Sequence, residues 1–424
     1  MKIAVIGSGI SGLGAAYLLC KNHDVTLFEK NTEIGGHSRT IDINARSVKT
    51  EAQKSIAVDT GFIVFNDWNY PNLMGLFAHL GIAYEKSDMS FGVSVQNGWL
   101  EYSSSAMFAQ KKNMIRPLYW GMIADILKFN KYAPAYIEKD SAITLGQCLD
   151  ELNMGAWFRN YYLLAMGAAI WSSPIESILK FPAKTFLRFF KNHGLLSVNN
   201  RPQWYTVSGG SRNYTQVIEE ALKSKGQIHK NYAVQKVICN PDKTISIMDQ
   251  SGKHNIFDQV IFASHADEAL TMIETPTPQE QNILGAFRYQ SNKIIVHSDE
   301  SFMPKNKNCW SSWVYLNDNA IDEKPCVSLS YWMNNLQNID PDYSIFVTLN
   351  PDRRPQEELI YDEYSFTHPI FDQPAIEAQT RITEIQGQRG LWFCGAYQRY
   401  GFHEDGLWSA INVAKALGAK IPWQ

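Results

Sequence analysis

The stretch IAVIGSGISG at residues 3–12 decides the fold of this chain. Four β-prone apolar residues lead into Gly7, Gly9 and Gly12, which are spaced as Gly-x-Gly-x-x-Gly. Gly7 permits a tight turn, Gly9 lets a ligand approach the backbone, and Gly12 lets the next helix pack closely on the strand. That helix would open at Ile10 and Ser11, and the free N–H groups of a helix start favour an anion such as a pyrophosphate. The stretch predicts the strand, turn and helix of a dinucleotide-binding fold.

An acidic residue follows the next predicted strand. Residues 24–28 read DVTLF, and Glu29 comes about 20 residues after the glycine turn. A carboxylate at this position accepts hydrogen bonds from the hydroxyls of an adenosine ribose. The glycine pattern would be weak alone, but between two strands and before an acid it is a strong signal.

The composition is that of a folded protein with more than one domain. The 424 residues are 45% hydrophobic and 19% charged, which excludes a disordered chain, and the length suits two domains. The formal net charge of -3 gives no basis for binding nucleic acid. The six cysteines are scattered without a Cys-x-x-Cys pair, so we expect no metal site.

The sequence carries no evident targeting or membrane-spanning segment. Met1 and Lys2 lead directly into the first predicted strand, and apolar stretches stay below the roughly 18 residues that span a bilayer. We expect a cytoplasmic protein, at most peripheral on the inner face of the membrane.

A second glycine pair follows Glu29. Residues 34–40 read IGGHSRT, in which Gly35 and Gly36 precede Arg39. This segment would bring more backbone and a fixed cation to the same pyrophosphate. The pattern over residues 29–40 resembles the flavin-containing amine oxidase and phytoene desaturase superfamily, whose members bind FAD.

The distal part of the chain agrees with that resemblance. Residues 395–396 and 404–406 are similar to the superfamily's second flavin-contacting motif, in which a helix start stabilises negative charge on the reduced flavin. Segments 207–210 and 232–237 are similar to its internal glycine pair and to its strand near the adenine. The resemblance implies an FAD cofactor with further contacts from Lys30, His37, Ser38, Thr60, Gly61, Phe62, Val234, Gly395, Glu404, Asp405 and Gly406.

Five further segments narrow the resemblance. Residues 58–66, 263–267, 331–337, 368–371 and 401–406 look like a bacterial subgroup of FAD proteins associated with cyclopropane-fatty-acid-synthase-type methyltransferases. This resemblance implies a lipid substrate, namely a methylated or otherwise modified acyl chain of a membrane phospholipid. It also implies a methyltransferase partner.

Three residues are candidates for the catalytic chemistry. Lys293 resembles the amine oxidase lysine that holds a water near flavin N5, although a lysine that opens a strand is often simply solvated. His403 stands near the place of an amine oxidase cage aromatic. It would either exchange protons near neutral pH or only hydrogen-bond the backbone or the flavin. Glu404, beside it, is the third candidate.

Two basic stretches, 107–136 and 177–193, place lysines and arginines among aromatic residues. A basic amphipathic helix can lie on anionic headgroups with its apolar side in the acyl region. The alternative is an ordinary helix packed on the core with a solvated charged face.

We expect the walls of a substrate cavity to come from Trp171, Trp204, Tyr289, Trp313, Tyr331, Trp332 and Tyr397.

Together these observations predict an α/β fold with a discontinuous Rossmann-like FAD-binding domain, residues 1–66, 208–270 and 385–424. A mixed α+β substrate-binding domain, 67–207 and 271–384, is inserted, and residues 66–190 should be largely helical. We expect an FAD-dependent oxidoreductase of the desaturase or oxidase type that dehydrogenates an apolar substrate by hydride transfer to flavin N5. The alternatives are an amine oxidase acting on a small amine and a non-catalytic, FAD-bound accessory protein of a lipid methyltransferase.

Overall fold

The structure is a computed structural model that describes residues 1–50, 52–138, 143–171, 175–197, 201–318 and 328–424. Within these ranges the strands are β1 Lys2–Ile6, β2 Asp24–Phe28, β3 Thr40–Arg46, β4 Gln53–Asp59, β5 Phe65–Asn66, β6 Tyr84–Ser87, β7 Phe91–Val95, β8 Leu100–Ser103, β9 Trp204–Val207, β10 Gln227–His229, β11 Val234–Cys239, β12 Ile245–Asp249, β13 His254–Phe257, β14 Gln259–Phe262, β15 Arg288–His297, β16 Trp313–Asn317, β17 Ser328–Trp332, β18 Phe346–Leu349, β19 Ile360–Ile370 and β20 Leu391–Phe393.

The α-helices in the same ranges are α1 Ile10–Leu19, α2 Pro71–Leu80, α3 Pro117–Tyr132, α4 Ala135–Glu138, α5 Leu145–Glu151, α6 Ala156–Phe158, α7 Leu164–Trp171, α8 Ile175–Leu179, α9 Ala183–Asn192, α10 Arg212–Lys223, α11 Ala266–Met272, α12 Pro278–Leu284, α13 Met333–Leu336, α14 Gln373–Arg381 and α15 His403–Ala416. A π-helical turn, Arg159–Leu163, joins α6 to α7. Short 3-10 helices occupy Lys111–Ile115, Glu300–Phe302, Lys307–Cys309, Glu357–Leu359, Ile382–Glu384, Gln388–Gly390 and Ala396–Gln398.

A five-stranded parallel sheet, in the order β10-β2-β1-β14-β20, forms the Rossmann-like part of the fold. Its strands come from three separated segments, residues 2–28, 227–262 and 391–393. In the central strand β1, Ile3 and Val5 face a core that contains α1 and α15, whereas Ala4 and Ile6 face a second core that contains α11 and α14. A parallel sheet covered on both faces explains why this strand reads as an unbroken apolar run.

Helix α1 is buried along its whole length because small residues let its neighbours approach. A Cβ atom on Gly12 would lie 1.8 Å from the carbonyl oxygen of Gly7, and one on Gly14 would lie 2.7 Å from Cδ1 of Leu407 on α15. The helix is therefore held against the turn that precedes it and against the distal helix.

A seven-stranded mixed sheet, in the order β19-β15-β18-β17-β16-β7-β8, forms the other large layer. Helices between residues 117 and 192 pack against one another and against this sheet, and their shared core is rich in aromatic side chains such as Tyr119, Phe158, Phe186 and Phe190. Smaller sheets pair β3 with β4, β11 and β13 with β12, and β5 and β6 with β9.

The predicted fold class is confirmed, and β1, α1 and β2 lie where the sequence predicts two strands and a helix. The prediction of a largely helical middle is wrong for residues 84–103, which form β6, β7 and β8. Asn97-Gly98 at the β7–β8 connection is a hairpin signal in the sequence, and Asn97 has a φ of 54°. The proposed domain boundaries stay predictions.

Replacing Gly12 by alanine tests the close packing of α1 on the turn. The added Cβ would collide with backbone, which cannot rotate away as a side chain can, so we expect Gly12→Ala to lower the free energy of unfolding by about 3 kcal/mol. Gly9→Ala is the matched control, because its Cβ would meet nothing within 4 Å. Urea unfolding followed by circular dichroism measures both variants. Equal midpoints for the two would contradict the packing argument.

Candidate functional site

The glycine turn leaves one face of its backbone open. Gly7 has a φ of 100°, and a Cβ there would lie 2.9 Å from the carbonyl oxygen of Ala263, so the turn packs against the end of β14. Gly9 has open space at its Cβ position, and no side chain caps the start of α1. The turn therefore presents free helix-start amides toward an open space, as anion binding requires.

The acid that follows β2 is held in place from the turn. Glu29 is buried, and its Oε2 accepts hydrogen bonds from Ser8 N at 3.0 Å and Ser8 Oγ at 2.6 Å. Its Oε1 accepts one from Asn31 N at 2.9 Å. The carboxylate lies beside the turn, as the sequence predicts for a group that binds a ribose.

A cavity of about 940 Å³ runs from this turn into the region between the two large sheets. One end is lined by the turn, by Glu29 and by the start of β11. The other end is lined mostly by aromatic and apolar residues from the seven-stranded sheet and from α7 and α9. Among the predicted site residues, the cavity is lined by Gly7, Gly9, Ile10, Ser11, Glu29, Lys30, Gly36, His37, Thr60, Gly61, Phe62, Val234, Gly395 and His403.

Three predicted cofactor glycines, Gly12, Gly35 and Gly406, do not line the cavity but pack against residues that do. Gly35 donates its N–H to the Ser8 carbonyl at 3.0 Å. A Cβ on Gly406 would lie 2.8 Å from Ser11 Oγ, so this glycine lets α15 approach the start of α1. Gly12 and Gly406 therefore shape the site by close packing and do not line the cavity.

Arg39 does not direct its charge into the cavity. Its guanidinium donates to Asp362 Oδ2 at 2.9 Å and to Thr60 Oγ1 at 3.2 Å, and it lies over the ring of Tyr364. These contacts hold Arg39, Thr60 and Asp362 together, so the charge of the guanidinium is already paired within the protein. The sequence interpretation that Arg39 serves the pyrophosphate has no support in this geometry.

Lys293 also lies away from the cavity. Its Nζ pairs with Glu363 Oε2 at 2.8 Å, and the side chain is half exposed. Successive side chains of a strand point to opposite faces, and Ile294, the next residue of β15, lines the cavity. The structure therefore places Lys293 on the outer face, where it cannot hold a water beside the cavity.

Glu404 stabilises the start of another helix. Its Oε1 accepts hydrogen bonds from the backbone and side-chain nitrogens of Asn72, at 3.1 and 2.6 Å, and its Oε2 accepts one from Leu73 N at 3.0 Å. Both oxygens thus bind the N-terminus of α2. Burial nevertheless raises the pKa of Glu404 to about 7. Its neighbour Asp405 accepts from the backbone of Phe402 at 3.0 Å and of Tyr400 at 3.2 Å, and burial raises the pKa of Asp405 to about 6.

Of the three catalytic candidates, His403 is the one that lines the cavity. Its imidazole stacks on Phe62 with ring centroids 3.7 Å apart, and its Nε2 lies 2.8 Å from Ser38 Oγ and 3.0 Å from the hydroxyl of Tyr214. Removal from bulk solvent lowers the pKa of His403 to about 3. The geometry favours a neutral, fixed imidazole that donates or accepts a hydrogen bond.

Three histidines from distant parts of the chain meet along the cavity. The ring of His37 lies 5.4 Å from that of His368 and 6.4 Å from that of His265, and His37 stacks on Phe366. Burial and these neighbours hold the pKa of His37 well below its ordinary value. Within the described ranges, His37 Nε2 has no hydrogen-bond partner. Sequence reasoning missed this cluster because nothing in the local sequence around 265 or 368 points to residue 37.

The apolar end of the cavity agrees with the predicted aromatic walls. Trp171, Trp204, Tyr289, Trp313, Tyr331 and Tyr397 line the cavity. Trp332 does not; it packs on Trp310 with ring centroids 5.3 Å apart. The sequence did not point to several further lining residues, namely Met89, Phe91, Tyr102, Met107, Tyr162, Met166, Ile170, Phe189, Leu195, Arg201, Tyr400 and Phe402.

Comparison with known proteins identifies this architecture. Residues 5–80 match the family of the NAD(P)-binding Rossmann-like domain. The solved structure of a CLA-producing fatty acid isomerase from P. acnes superposes with a TM-score of 0.68 at 14% identity, covering 97% of this chain and 98% of that one. Cyclohexylamine oxidase from Brevibacterium oxydans IH-35A superposes with a TM-score of 0.68 at 13% identity, covering 98% and 99%.

A short match in sequence adds to these structures. Over 37 residues, 8% of this chain and 7% of the relative, the chain is 60% identical to a 4,4'-diapophytoene desaturase of Staphylococcus aureus, strain bovine RF122 / ET3-1. The chain shares the fold of the solved fatty acid isomerase and of the solved cyclohexylamine oxidase. The predicted fold is thereby confirmed, while the superfamily and the narrower bacterial subgroup stay predictions. The chain spans 53% of one curated relative and 7% of this desaturase.

The buried position of Glu404 predicts a pH dependence of stability. Its pKa rises from an ordinary 4.5 to about 7 on folding, so the folded state binds the proton more tightly than the unfolded state. The stabilisation from this tighter proton binding is fully present below about pH 4.5 and is lost as the pH rises to 7. Between about pH 5.5 and 8, the free energy of unfolding should fall by on the order of 2 kcal/mol from this group.

Glu404→Gln should flatten that decline, because an amide does not ionise. Urea unfolding of the variant and of the parent protein at both pH values measures the difference. Glu33→Gln, at an exposed acid, is the control and should leave the decline unchanged. Parallel pH profiles for the parent protein and Glu404→Gln would contradict the assignment.

Proposed function

We propose that this protein is an FAD-dependent oxidoreductase that dehydrogenates an apolar substrate. One observation carries the proposal: the open glycine turn lies at one end of a cavity whose other end is a chamber with aromatic walls, among them Trp171, Trp204 and Trp313. A dinucleotide held at the turn would extend toward the chamber, and a substrate in the chamber would then meet its far end. The solved structures with this fold, a fatty acid isomerase and an amine oxidase among them, are consistent with such chemistry.

The residues present fit FAD. The uncapped start of α1 and the open space at Gly9 suit a pyrophosphate, and Glu29 suits a ribose. Phe28, Tyr232 and Val234 line the same end and suit an adenine. The unpartnered Nε2 of His37 is a buried polar atom that a ligand would satisfy. When bound, FAD would supply the hydride acceptor, and the protein would supply orientation and exclusion of water.

Gly9→Asp tests the binding of the dinucleotide at the turn. A carboxylate in the open space would occupy the place of the pyrophosphate and repel it, so we expect the purified variant to carry at least tenfold less flavin than the parent protein. Absorbance in the flavin band, corrected for protein concentration, measures the content. Gly121→Asp is the matched control, because a Cβ there also meets nothing within 4 Å. Equal flavin in Gly9→Asp and the parent would contradict the site.

The apolar end of the cavity favours an acyl chain as the substrate, and we propose a methylated or otherwise modified acyl chain of a membrane phospholipid. Among the described lining residues the carboxylates are Glu29, Asp267 and Glu268, of which Glu268 pairs with Lys30 at 2.8 Å. Glu29 lies at the nucleotide end, so the aromatic chamber offers no carboxylate from this set to a cationic amine. Aromatic and methionine side chains instead suit a long hydrocarbon chain.

The chain's own polar groups near the chamber would act as fixed hydrogen-bonding groups. His403 is held by Phe62, Ser38 and the Tyr214 hydroxyl, and its neutral imidazole could orient the reacting end without adding charge. Neutral groups keep the local environment apolar, which favours transfer of hydride over exchange with water.

Anaerobic mixing of the FAD-loaded protein with phospholipids that carry methylated acyl chains tests the substrate. We expect bleaching of the flavin band and a product lighter by two hydrogens, detected by mass spectrometry of the acyl chains. FAD-depleted Gly9→Asp is the control and should yield no such product. Bleaching by a panel of small amines but not by lipids would overturn the proposal in favour of an amine oxidase. A methyltransferase partner stays a prediction.

An exposed apolar surface supports access from a membrane. The segment 108–132 exposes Met114, Ile115, Leu118, Trp120 and Leu127, with Ile115 83% exposed and Leu118 61% exposed. Exposed Lys111, Lys112 and Lys131 flank them. Apolar side chains among cations suit an anionic leaflet.

In contrast, the aromatic residues of 177–193 are buried against Trp171, so we confine the proposed membrane contact to 107–136. Among the described residues no helix is both long and apolar enough to span a bilayer.

The double variant Ile115→Asp, Leu118→Asp tests the membrane contact. Two apolar side chains that become buried in the acyl region of a membrane contribute roughly 1.5–3 kcal/mol each to binding. We therefore expect binding of the double variant to phosphatidylglycerol vesicles to weaken at least tenfold. Vesicle sedimentation measures the binding. Val48→Asp, at an equally exposed apolar residue of another turn, is the control and should bind like the parent protein. Unchanged sedimentation of the double variant would contradict the surface.

A further inference from the structure

We propose that Arg201 forms an anion-binding subsite at the solvent end of the apolar chamber, where it binds the acidic head group of an amphipathic acyl substrate. This inference rests on the proposed function, because it places a head group beside an acyl chain in the same cavity. It adds a residue and a ligand chemistry that the glycine turn and the aromatic walls do not provide.

Arg201 differs from Lys30, the second cation among the described residues that line the cavity. Lys30 lies at the nucleotide end and forms an ion pair with Glu268. Arg201 is exposed, and its guanidinium has no carboxylate partner among the described residues. Its hydrogen bond to the carbonyl oxygen of Ser197 is long, at 3.4 Å. A planar guanidinium that is not already paired can bind the two oxygens of one carboxylate or phosphate.

Among the described lining residues, those near Arg201 are mostly apolar, and none of them is a carboxylate. Tyr162, Leu195 and Trp204 line the cavity together with it. Burial raises the pKa of the Tyr162 phenol, and the Arg201 guanidinium is close enough to offset part of that rise. His193 lines the same region, but burial lowers its pKa to about 4, so its imidazole is neutral. An anion that entered here would meet Arg201 as its cationic partner.

A chain of contacts joins this place to the exposed apolar segment. The hydroxyl of Tyr119 on α3 donates to the carbonyl oxygen of Met107, which lines the cavity, at 2.5 Å. The ring of Tyr119 packs against Tyr102, whose hydroxyl donates to the carbonyl oxygen of Tyr161. Tyr162 is the next residue, so the subsite and the proposed membrane surface share one wall of the chamber.

An exposed arginine is most often simply solvated, and a single exposed ion pair contributes little. Arg201 differs from such a residue because it lines a chamber whose other walls suit a hydrocarbon chain. An amphipath whose chain fills that chamber holds its head group near the guanidinium at a high effective concentration. The ion pair is then intramolecular in the bound complex and adds to an affinity that the chain already provides.

Binding of three single-chain amphipaths to the FAD-loaded protein tests the subsite without turnover. Calorimetric titration with dodecyl phosphate, dodecanoate and dodecanol compares two anionic heads with an uncharged one on the same chain. We expect the parent protein to bind at least one of the anionic probes about tenfold more tightly than dodecanol. Arg201→Gln should lose that preference and still bind dodecanol, and Arg201→Lys should keep part of it.

Lys112→Gln is the matched control, because Lys112 is an exposed cation of the segment 108–132 and does not line the cavity. It should keep the full preference. Tighter binding of dodecyl phosphate than of dodecanoate would support a phospholipid as the source of the head group, and the reverse order would support a free fatty acid. Both orders support the subsite.

Equal binding of the three probes by the parent protein would overturn the inference, as would an anion preference that survives in Arg201→Gln. These results leave the proposed function standing as long as dodecanol binds. Failure of dodecanol to bind would count against the apolar chamber itself and would overturn both proposals. Flavin content and circular dichroism of each variant confirm that it is folded.

Discussion

The carbonyl oxygen of Gly7 and the α-carbon of Gly12 approach so closely that no side chain fits between them. This contact sets the angle at which α1 leaves β1, and with it the direction of the free amides at the start of the helix. Because α1 is pressed onto the turn, Gly14 can meet Leu407 and Gly406 can meet Ser11, so α15 packs on the same helix. Segments more than 380 positions apart in the sequence thus pack together beside the cavity.

Most charges near the nucleotide end of the cavity are used within the protein. Arg39 is bound by Asp362, and Glu404 is bound by the start of α2. The cavity wall at this end carries backbone amides, neutral imidazoles, the carboxylates of Glu29 and Asp267, and the ion pair of Lys30 with Glu268. This is a surface suited to a ligand that carries its own negative charge, since few fixed charges compete with it.

The glycine turn, Glu29 and the central strands could be predicted because their signals are local. A strand, a turn with fixed glycine spacing and an acid at the end of the next strand are all read within 30 residues. The aromatic walls followed from composition and from the expected position of the insertion.

Other assignments depended on partners and on strand faces, which local sequence does not reveal. Arg39 was interpreted as a cofactor ligand, but its partner Asp362 is 323 residues away in sequence. Lys293 lies on a strand, as predicted, but successive side chains of a strand point to opposite faces. Lys293 therefore faces outward, and Ile294 lines the cavity. The cluster of His37, His265 and His368 forms only when the ends of three distant segments meet, so no single stretch announces it. The strands of 84–103 were not predicted because an aromatic-rich stretch of sequence was interpreted as helix, although Asn97-Gly98 is a hairpin signal.

The parallel pairing of β1 with β14 has a consequence for the order of assembly. The hydrogen bond from Lys2 N to the Asp258 side chain bridges 256 residues of sequence, and closing so long a segment costs chain entropy before the contacts it brings can offset that cost. Pairings of this range form slowly. The glycine turn therefore gains its neighbour Ala263 only when this long-range pairing forms, and the cleft beside the turn is incomplete until then.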